Sequence, residues 1–462
     1  MNPPSTTPWW RLLNGYHWFV FSMASLAWLF DCLDQQLFLL ARNSAMKALL
    51  PPGLDAKLYG GYATSIFVAG WATGGLIFGA VGDRIGRAKT LTLTVLIYSL
   101  CTGLSAFSTG WTDFAIYRFL TGLGVGGVFG LAVALVADSL PEQARPHALG
   151  TLQALSAVGN VTAGVIAMTL GSMEGKVFEA GMAWKYMFLI GALPAFMCVF
   201  LQMRLKEPEK WVAARAEGLR TGVAFGSYQA LFSDRWRRNA LLGMVLCVAG
   251  VIGLWGIGFF SPELVGDVIE RSLRAQGVDP AQIPGQKTKW VGINMIVQNI
   301  GAFCGMLLFT RYASIYGRKP TFMVAFALAL VATVGYFQLF NGKSDIWMSA
   351  VMGACQLALF AGFAIYLPEL FPIRLRSTGT SFCYNVGRFL AASGPFTLGV
   401  LQKNISDTAI AKLGPTVTDV ARAAAKVDAF RSACSWMSLI FLLGLVALWF
   451  LPETKGRPLP ED

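Results

Sequence analysis

The segment Asp138-Ser-Leu-Pro-Glu-Gln-Ala-Arg145 returns 231 residues later as Glu369-Leu-Phe-Pro-Ile-Arg-Leu-Arg376. An acid, a proline and a closing arginine keep their places. Gly86-Arg87 and Gly317-Arg318 stand at that same spacing, half the length of the 462-residue chain. Two matches at one offset predict a duplicated chain whose halves face one another.

The surroundings of these segments set the class. Hydrophobic residues make up 55% of the chain and charged ones 13%, where a soluble protein carries about 25% charged residues. Membrane-crossing helices need about 20 mostly apolar residues each. Twelve such runs can be placed, at about 17–42, 58–80, 88–108, 112–139, 146–171, 183–204, 239–262, 289–312, 320–340, 344–370, 377–402 and 431–451. The expected fold is all-α: twelve transmembrane helices in two pseudo-symmetric six-helix bundles, 1–204 and 239–462. The polar stretch 205–238 reads as a linker with short surface helices.

The net charge is +12, but the cations sit in short loops between apolar runs, so nucleic acid is not an expected partner. An even number of spans puts both termini on one side. With span-end residues counted in the nearest loop, that side holds 20 of the 37 Lys and Arg and the other holds 15. The positive-inside rule therefore places both termini in the cytoplasm of a cell or inner membrane. The eight Cys are scattered without metal-like spacing, and His17 and His147 lie near span ends. No cleavable signal peptide is evident. No cofactor is expected.

Gly79-Ala-Val-Gly-Asp83-Arg84-Ile-Gly86-Arg87 resembles the loop signature of the major facilitator superfamily, and Arg118-Phe-Leu-Thr-Gly122-Leu-Gly124-Val-Gly126 resembles its fourth-helix motif. Pro141-Glu142-Gln-Ala-Arg145 and Pro452-Glu453-Thr-Lys-Gly-Arg457 look like sugar-porter signatures, which Glu207-Pro208-Glu209 meets only loosely. Asp31-Cys-Leu-Asp34 with Tyr384-Asn-Val-Gly-Arg388 is most similar to the metabolite:proton symporters, which carry sialate, lactate and aromatic acids. The resemblance implies a transporter working by alternating access. Two departures imply specialised halves: Ser314 and Ile315 stand where the first copy has Asp83 and Arg84, and Ser349 where it has Arg118.

Four charges lie inside spans: Asp31, Asp34, Arg118 and Arg388. A lone charge at mid-bilayer costs at least about 2.5–3.5 kcal/mol, so each needs a reason. At about 1.5 Å per residue, Asp31 and Asp34 share a helix face about 4.5 Å apart in depth. Structural ion pairs are one reason. Proton coupling is the other, since a carboxylate can trade an arginine partner for a proton. The resemblance favours Asp34 with Arg118 as the coupling pair and Asp31 as the second choice. The four charges sum to zero. Protonating one Asp leaves a surplus positive charge that a carboxylate substrate would neutralise on Arg388 by a two-pronged hydrogen bond. This favours symport of a small organic anion with a proton. A sugar:proton symporter and a proton-independent facilitator are the alternatives within the fold. A membrane enzyme and a sensor are weaker rivals, for want of a catalytic constellation and of a signalling tail.

Further substrate-contact candidates are Asn385, Tyr384, Asn294, Gln298, Gln153, Asn160, Gln356, Trp255 and Tyr366. For each amide an interhelical hydrogen bond is an equal reading, and each aromatic is more often a packing residue. Asp83 at the end of span two is expected to meet the N-terminus of span eleven, where unpaired amides attract an anion, and so to latch the halves. Gly79, Arg84, Gly86, Arg87 and Asp138, with Glu142 and Arg145, belong to this expected gate. Glu369, Arg318 and Arg376 form its expected second copy. The protein is expected to act as a monomer in the lipid bilayer.

Overall fold

The computed structural model describes residues 8–179, 181–194, 197, 204–279, 282–391, 394–413 and 419–461. Among these, all regular structure is helical apart from one isolated bridge, Glu174 with Phe178. The first half contains α1 (Gly15–Leu49), α2 (Ala56–Ile85), α3 (Arg87–Ser105), α4 (Trp111–Ser139), α5 (Arg145–Met173) and α6 (Ala183–Gly191). The linker carries α7 (Glu209–Thr221) and a single turn, Tyr228–Leu231. The second half contains α8 (Arg237–Val251), α9 (Ser261–Ala275), α10 (Ile283–Tyr316), α11 (Arg318–Leu339), α12 (Trp347–Tyr366) and α13 (Arg376–Ala391). It closes with α14 (Gly394–Leu413), α15 (Asp419–Met437) and α16 (Ile440–Phe450). Nine described helical stretches are long and apolar enough to cross a bilayer. Together with the charge-bearing first and eleventh spans and the sixth, they make twelve spans in two six-helix halves. Most of the second part of span six lies outside the described residues.

Local chemistry explains where helices start. Asn14 caps α1, accepting from the His17 amide at 2.8 Å while His17 Nδ1 accepts from the Asn14 amide at 3.3 Å; this closes two otherwise orphan donors. The α3 and α11 helices each follow a glycine at positive φ, Gly86 at 121° and Gly317 at 109°, a backbone that other residues resist.

The duplication is visible in the packing. Gly70, Gly74 and Gly122 let the backbones of α2 and α4 touch; Gly301, Gly305 and Gly353, each 231 residues on, do the same for α10 and α12. A Cβ at any of these positions would overlap backbone of the facing helix. Small residues permit this approach, which membrane helices use in place of a hydrophobic drive. The apolar window of α4 is 83% buried and that of α5 33%, so α4 is central and α5 faces outward along much of its length.

Three expected boundaries differ. The first helix runs on to Leu49, past the expected end at 42. Span seven is broken: α8 passes into a π-helical turn, Ile252–Ile257, then a 3-10 turn, Gly258–Phe260, before α9 continues to Ala275. The expected outer loop 403–430 is largely helical, in α14 and α15. The apolar faces of α9 and α15 explain this: Leu264, Val265, Ile269, Phe430, Ala433 and Cys434 share a second core with Phe337 and Phe340.

Candidate functional site

The four buried charges do not share a single cluster, and no carboxylate–guanidinium ion pair closes among them; electrostatically, Asp34 falls to Arg118 and Asp31 to Arg388. Arg118 lies within the first half. Its Nε and Nη2 donate to Ser105 Oγ at 3.1 and 2.7 Å, and Nη2 donates to Thr121 Oγ1 at 3.1 Å. Phe38, Phe114 and Phe188 surround the guanidinium, with ring centroids at 5.3, 5.8 and 4.7 Å. Asp34 is its electrostatic partner and packs against Thr102 of α3 and Gly191 of α6. Arg388 instead lies where the halves meet. It stacks on Trp71 of α2 at 3.5 Å and on Tyr384 at 4.2 Å, and Nη1 donates to Asn385 Oδ1 at 3.3 Å. Asp31 of α1 is its electrostatic partner from the other half.

Both carboxylates are fully buried, and none of their oxygens accepts a hydrogen bond of normal geometry. Gln35 and Thr102 lie within electrostatic reach of Asp31 and Asp34 without closing one. Buried polar groups are nearly always satisfied, so four orphan carboxylate oxygens on one stretch of α1 mark a site. Arg388 Nε and Arg118 Nη1 are likewise buried without an acceptor.

Close helix approach brings α13 to this place. Gly75 and Gly79 of α2 lie against Asn385 and Ser381, and Gly130 of α4 lies against Ser381 as well. Tyr384 stacks on Phe129 with centroids 3.9 Å apart. Trp255, in the π-turn, meets Trp71 edge-on at 6.0 Å, so Arg388, Trp71 and Trp255 form one contiguous group. Asn160 donates to Asn299 Oδ1 at 3.1 Å, also across the halves. Gln153 is buried with an unsatisfied Oε1.

Other candidates lie elsewhere. Asn294 is taken up inside the second half: its Oδ1 accepts from Tyr336 at 3.0 Å and from Ser349 at 2.5 Å, and its Nδ2 donates to Ser261 at 3.5 Å. Gln298 Oε1 accepts from Ser261 at 3.1 Å. Ser349, the counterpart of Arg118, thus sits in a neutral network. Gln356 Nε2 donates to Thr333 at 2.8 Å and its Oε1 is unsatisfied. Tyr366 is remote from this group; its hydroxyl donates to the Pro452 carbonyl beside the C-terminal tail.

The face that carries the termini is closed by charge. Asp83 accepts from the Ser377 amide at 3.2 Å, the Thr378 amide at 2.8 Å and the Thr378 hydroxyl at 2.7 Å. It thereby caps the first turn of α13 from the opposite half, and it pairs with Arg87 at 3.0 Å. Arg87 also pairs with Asp138 and donates to the Ile373 carbonyl at 2.5 Å. The expected second copy is rearranged. Arg318 binds Glu369 two-pronged, at 2.7 and 3.1 Å, but Arg376 crosses over to Asp138 of the first half. Arg84 and Glu142 are exposed and outside this cluster. Arg145 is buried with Nε and Nη2 unpaired.

Glu207 is the residue that sequence reasoning undervalued. Its carboxylate accepts from the amides of Arg87 at 2.7 Å, Ala88 at 3.2 Å and Lys89 at 3.1 Å, capping α3. Glu453 caps α11 in the same way, from the amides of Arg318 and Lys319, both at 2.9 Å. Burial pushes the Glu453 carboxyl up, but the amides of Lys455, Arg318, Lys319 and Thr454 outweigh it and hold the group below its ordinary value of 4.5. The usable signal was a Glu adjoining a Pro, Glu207-Pro208 and Pro452-Glu453, placed after the last span of each half. Trp71 and Ser105 carried no signal at all.

The profile of the Major Facilitator Superfamily matches residues 36–395. A probable 4-methylmuconolactone transporter of Cupriavidus pinatubonensis is 28% identical, over 82% of this chain and 82% of that protein. A cis,cis-muconate transport protein of Acinetobacter baylyi is 26% identical, over 84% of this chain and 89% of that one. In fold the chain is similar to the proton:xylose symporter XylE bound to 6-bromo-6-deoxy-D-glucose, with a TM-score of 0.72 over 96% of this chain and 98% of that one, at 17% identity.

Proposed function

Because the chain belongs to the major facilitator superfamily, a family of membrane transporters, we propose that it carries a small organic anion together with a proton by alternating access. The observation that carries this reading is Arg388. Its guanidinium sits at the junction of the halves, stacked between aromatic rings, with Nε lacking an acceptor. A carboxylate is the ligand such a fork fits. Asp31 is the nearby counter-charge in the unloaded carrier, and the substrate carboxylate takes up the unpaired Nε of Arg388. Asn385 fixes the fork, and Trp71 and Tyr384 supply flat apolar walls.

The second pair does the coupling in this reading. Protonation of Asp34 leaves Arg118 on its Ser105 and Thr121 acceptors, and Asp34 releases the proton to the opposite side once the halves have rocked. Asp83, Arg87, Asp138 and Arg376 hold the terminal face shut until then. That face is assigned to the cytoplasm by its excess of Lys and Arg, in a cell or inner membrane, with the carrier acting as a monomer. The relatives named for muconate and 4-methylmuconolactone support an organic-acid substrate. The fold shared with a xylose symporter is the observation that favours the second reading, sugar:proton symport. Uptake into proteoliposomes under an imposed pH gradient separates the two. Lactate, sialate, aromatic acids and hexoses form the panel. An acid is expected to accumulate; accumulation of hexoses alone overturns the proposal.

A further inference from the structure

A groove of about 500 Å³ lies on the outside of the second half, away from the charged site. It is bounded by α10, α11 and α12 and reaches from Gly305 to Tyr316 along α10. Its walls are almost wholly apolar. Leu308, Val324 and Leu328 present exposed side chains at 53%, 60% and 52%. On a helix that crosses a bilayer such faces meet acyl chains rather than water. The eleven steps from Gly305 to Tyr316 rise about 17 Å at 1.5 Å each, close to the depth of one leaflet of an about 30 Å hydrocarbon core. The volume falls within the about 300–1,000 Å³ range of ligand sites.

The mouth of the groove is at the face that carries the termini, and it is built differently from the walls. Tyr312 and Tyr316 stack there with centroids 5.9 Å apart. Paired tyrosines at that depth suit the interface between acyl chains and headgroups. The duplication makes the departure visible: the positions 231 residues earlier are Val81 and Ile85. Two cations belong to this end of the groove. Lys319 precedes the lining residues Pro320 and Thr321, and Lys455 donates from Nζ to the Ile315 carbonyl at 2.5 Å. An ammonium has three donors, so Lys455 keeps two for a ligand. Of the acids near the mouth, Glu453 is engaged by backbone amides and Glu369 by Arg318 and Thr454, so neither is directed at the two lysines.

We infer that this groove binds one anionic phospholipid from the leaflet on the terminal side, with an acyl chain along α10 and the headgroup at Lys319 and Lys455. Length, apolar walls, an aromatic collar and two cations fit a negatively charged two-part ligand, and a detergent or a zwitterionic lipid satisfies only the first three. The inference does not depend on the transported substrate.

The test uses the full chain purified in detergent, with phosphatidylglycerol and phosphatidylcholine as probes. Native mass spectrometry counts retained lipid, and thermal unfolding reports stabilisation. Wild type is expected to retain one phosphatidylglycerol at least tenfold more readily than phosphatidylcholine. Leu308→Trp fills the groove from its exposed wall and is expected to abolish retention of either lipid. Val324→Trp, on the facing helix, does the same if the first variant folds poorly. Lys319→Gln with Lys455→Gln is expected to equalise the two lipids. Equal retention of both lipids by wild type, or undiminished retention in a folded groove-filling variant, overturns the inference. Transport of any substrate plays no part in these readouts.

Discussion

Replacing Asp83 with Asn isolates the latch that closes the terminal face. The carboxylate accepts three hydrogen bonds from Ser377 and Thr378 and pairs with Arg87. Hydrogen bonds to a charged group contribute about 1.5–3 kcal/mol each, against about 0.5–1.5 for neutral ones. The amide keeps one acceptor but turns an N–H toward donors on α13 or Arg87. Arg87 retains Asp138, so the cluster is weakened and not abolished. The expected loss is about 2–3 kcal/mol, which shifts the balance between closed and open terminal faces by about 30- to 150-fold. Hydrogen exchange at the start of α13 reads this directly, because one of the Ser377 and Thr378 amides loses its acceptor and the other keeps only a neutral one. Their protection is expected to fall by that factor, with faster opening and weaker control of transport. Glu217→Gln, in the exposed α7 pair with Arg220, serves as the control and is expected to change neither. Unchanged exchange in this turn together with unchanged uptake refutes the latch.

Arg388→Lys keeps the charge but loses the planar fork and its stack on Trp71; substrate affinity by calorimetry is expected to weaken about 10- to 100-fold, the equivalent of about 1.5–3 kcal/mol. Gly86→Ala and Gly317→Ala force a side chain onto φ of 121° and 109° beside Glu207 and Glu453; each is expected to cost about 1–3 kcal/mol in thermal unfolding, whereas Gly110→Ala, in extended backbone at φ −156°, is not. Glu453→Gln is expected to lower the melting temperature at pH 7. The Glu453 carboxyl is held below 4.5 when folded, so its contribution is present above that value and lost as pH falls through the lower folded one. The difference between wild type and variant therefore shrinks in acid, and a constant difference from pH 7 to pH 3 contradicts the cap.

Particular residues show what was legible. The offset of 231 between Arg87 and Arg318 reappears in the starts of α3 and α11, and that between Arg145 and Arg376 in the starts of α5 and α13. Periodic apolar length and a repeated loop are one-dimensional signals, and they survive in the sequence. Pairing of charges is not one-dimensional. Arg118 and Arg388 had separate expected roles, but their surroundings were not legible: one is enclosed by Phe38, Phe114 and Phe188 and the other lies at the junction of the halves. Asn294 and Gln298, four residues apart, share a helix face, but Ser261, Tyr336 and Ser349 had to be placed before that face was seen to be occupied. Arg376 crosses to Asp138 because the two halves meet there, and no spacing within one half contains that fact. The helical parts of 403–430 were missed because polar residues dilute the hydropathy there, while Phe430, with Cys434 one turn on, buries the apolar side.

The central claim is that Asp34 carries the coupling proton while Arg388 carries the substrate. The most direct measurement compares two modes of transport in Asp34→Asn proteoliposomes, using the acid identified from the panel. The account predicts that exchange of labelled for unlabelled substrate persists, while accumulation driven by a pH gradient disappears. Accumulation against a concentration gradient at the wild-type level, in the same vesicles, contradicts it.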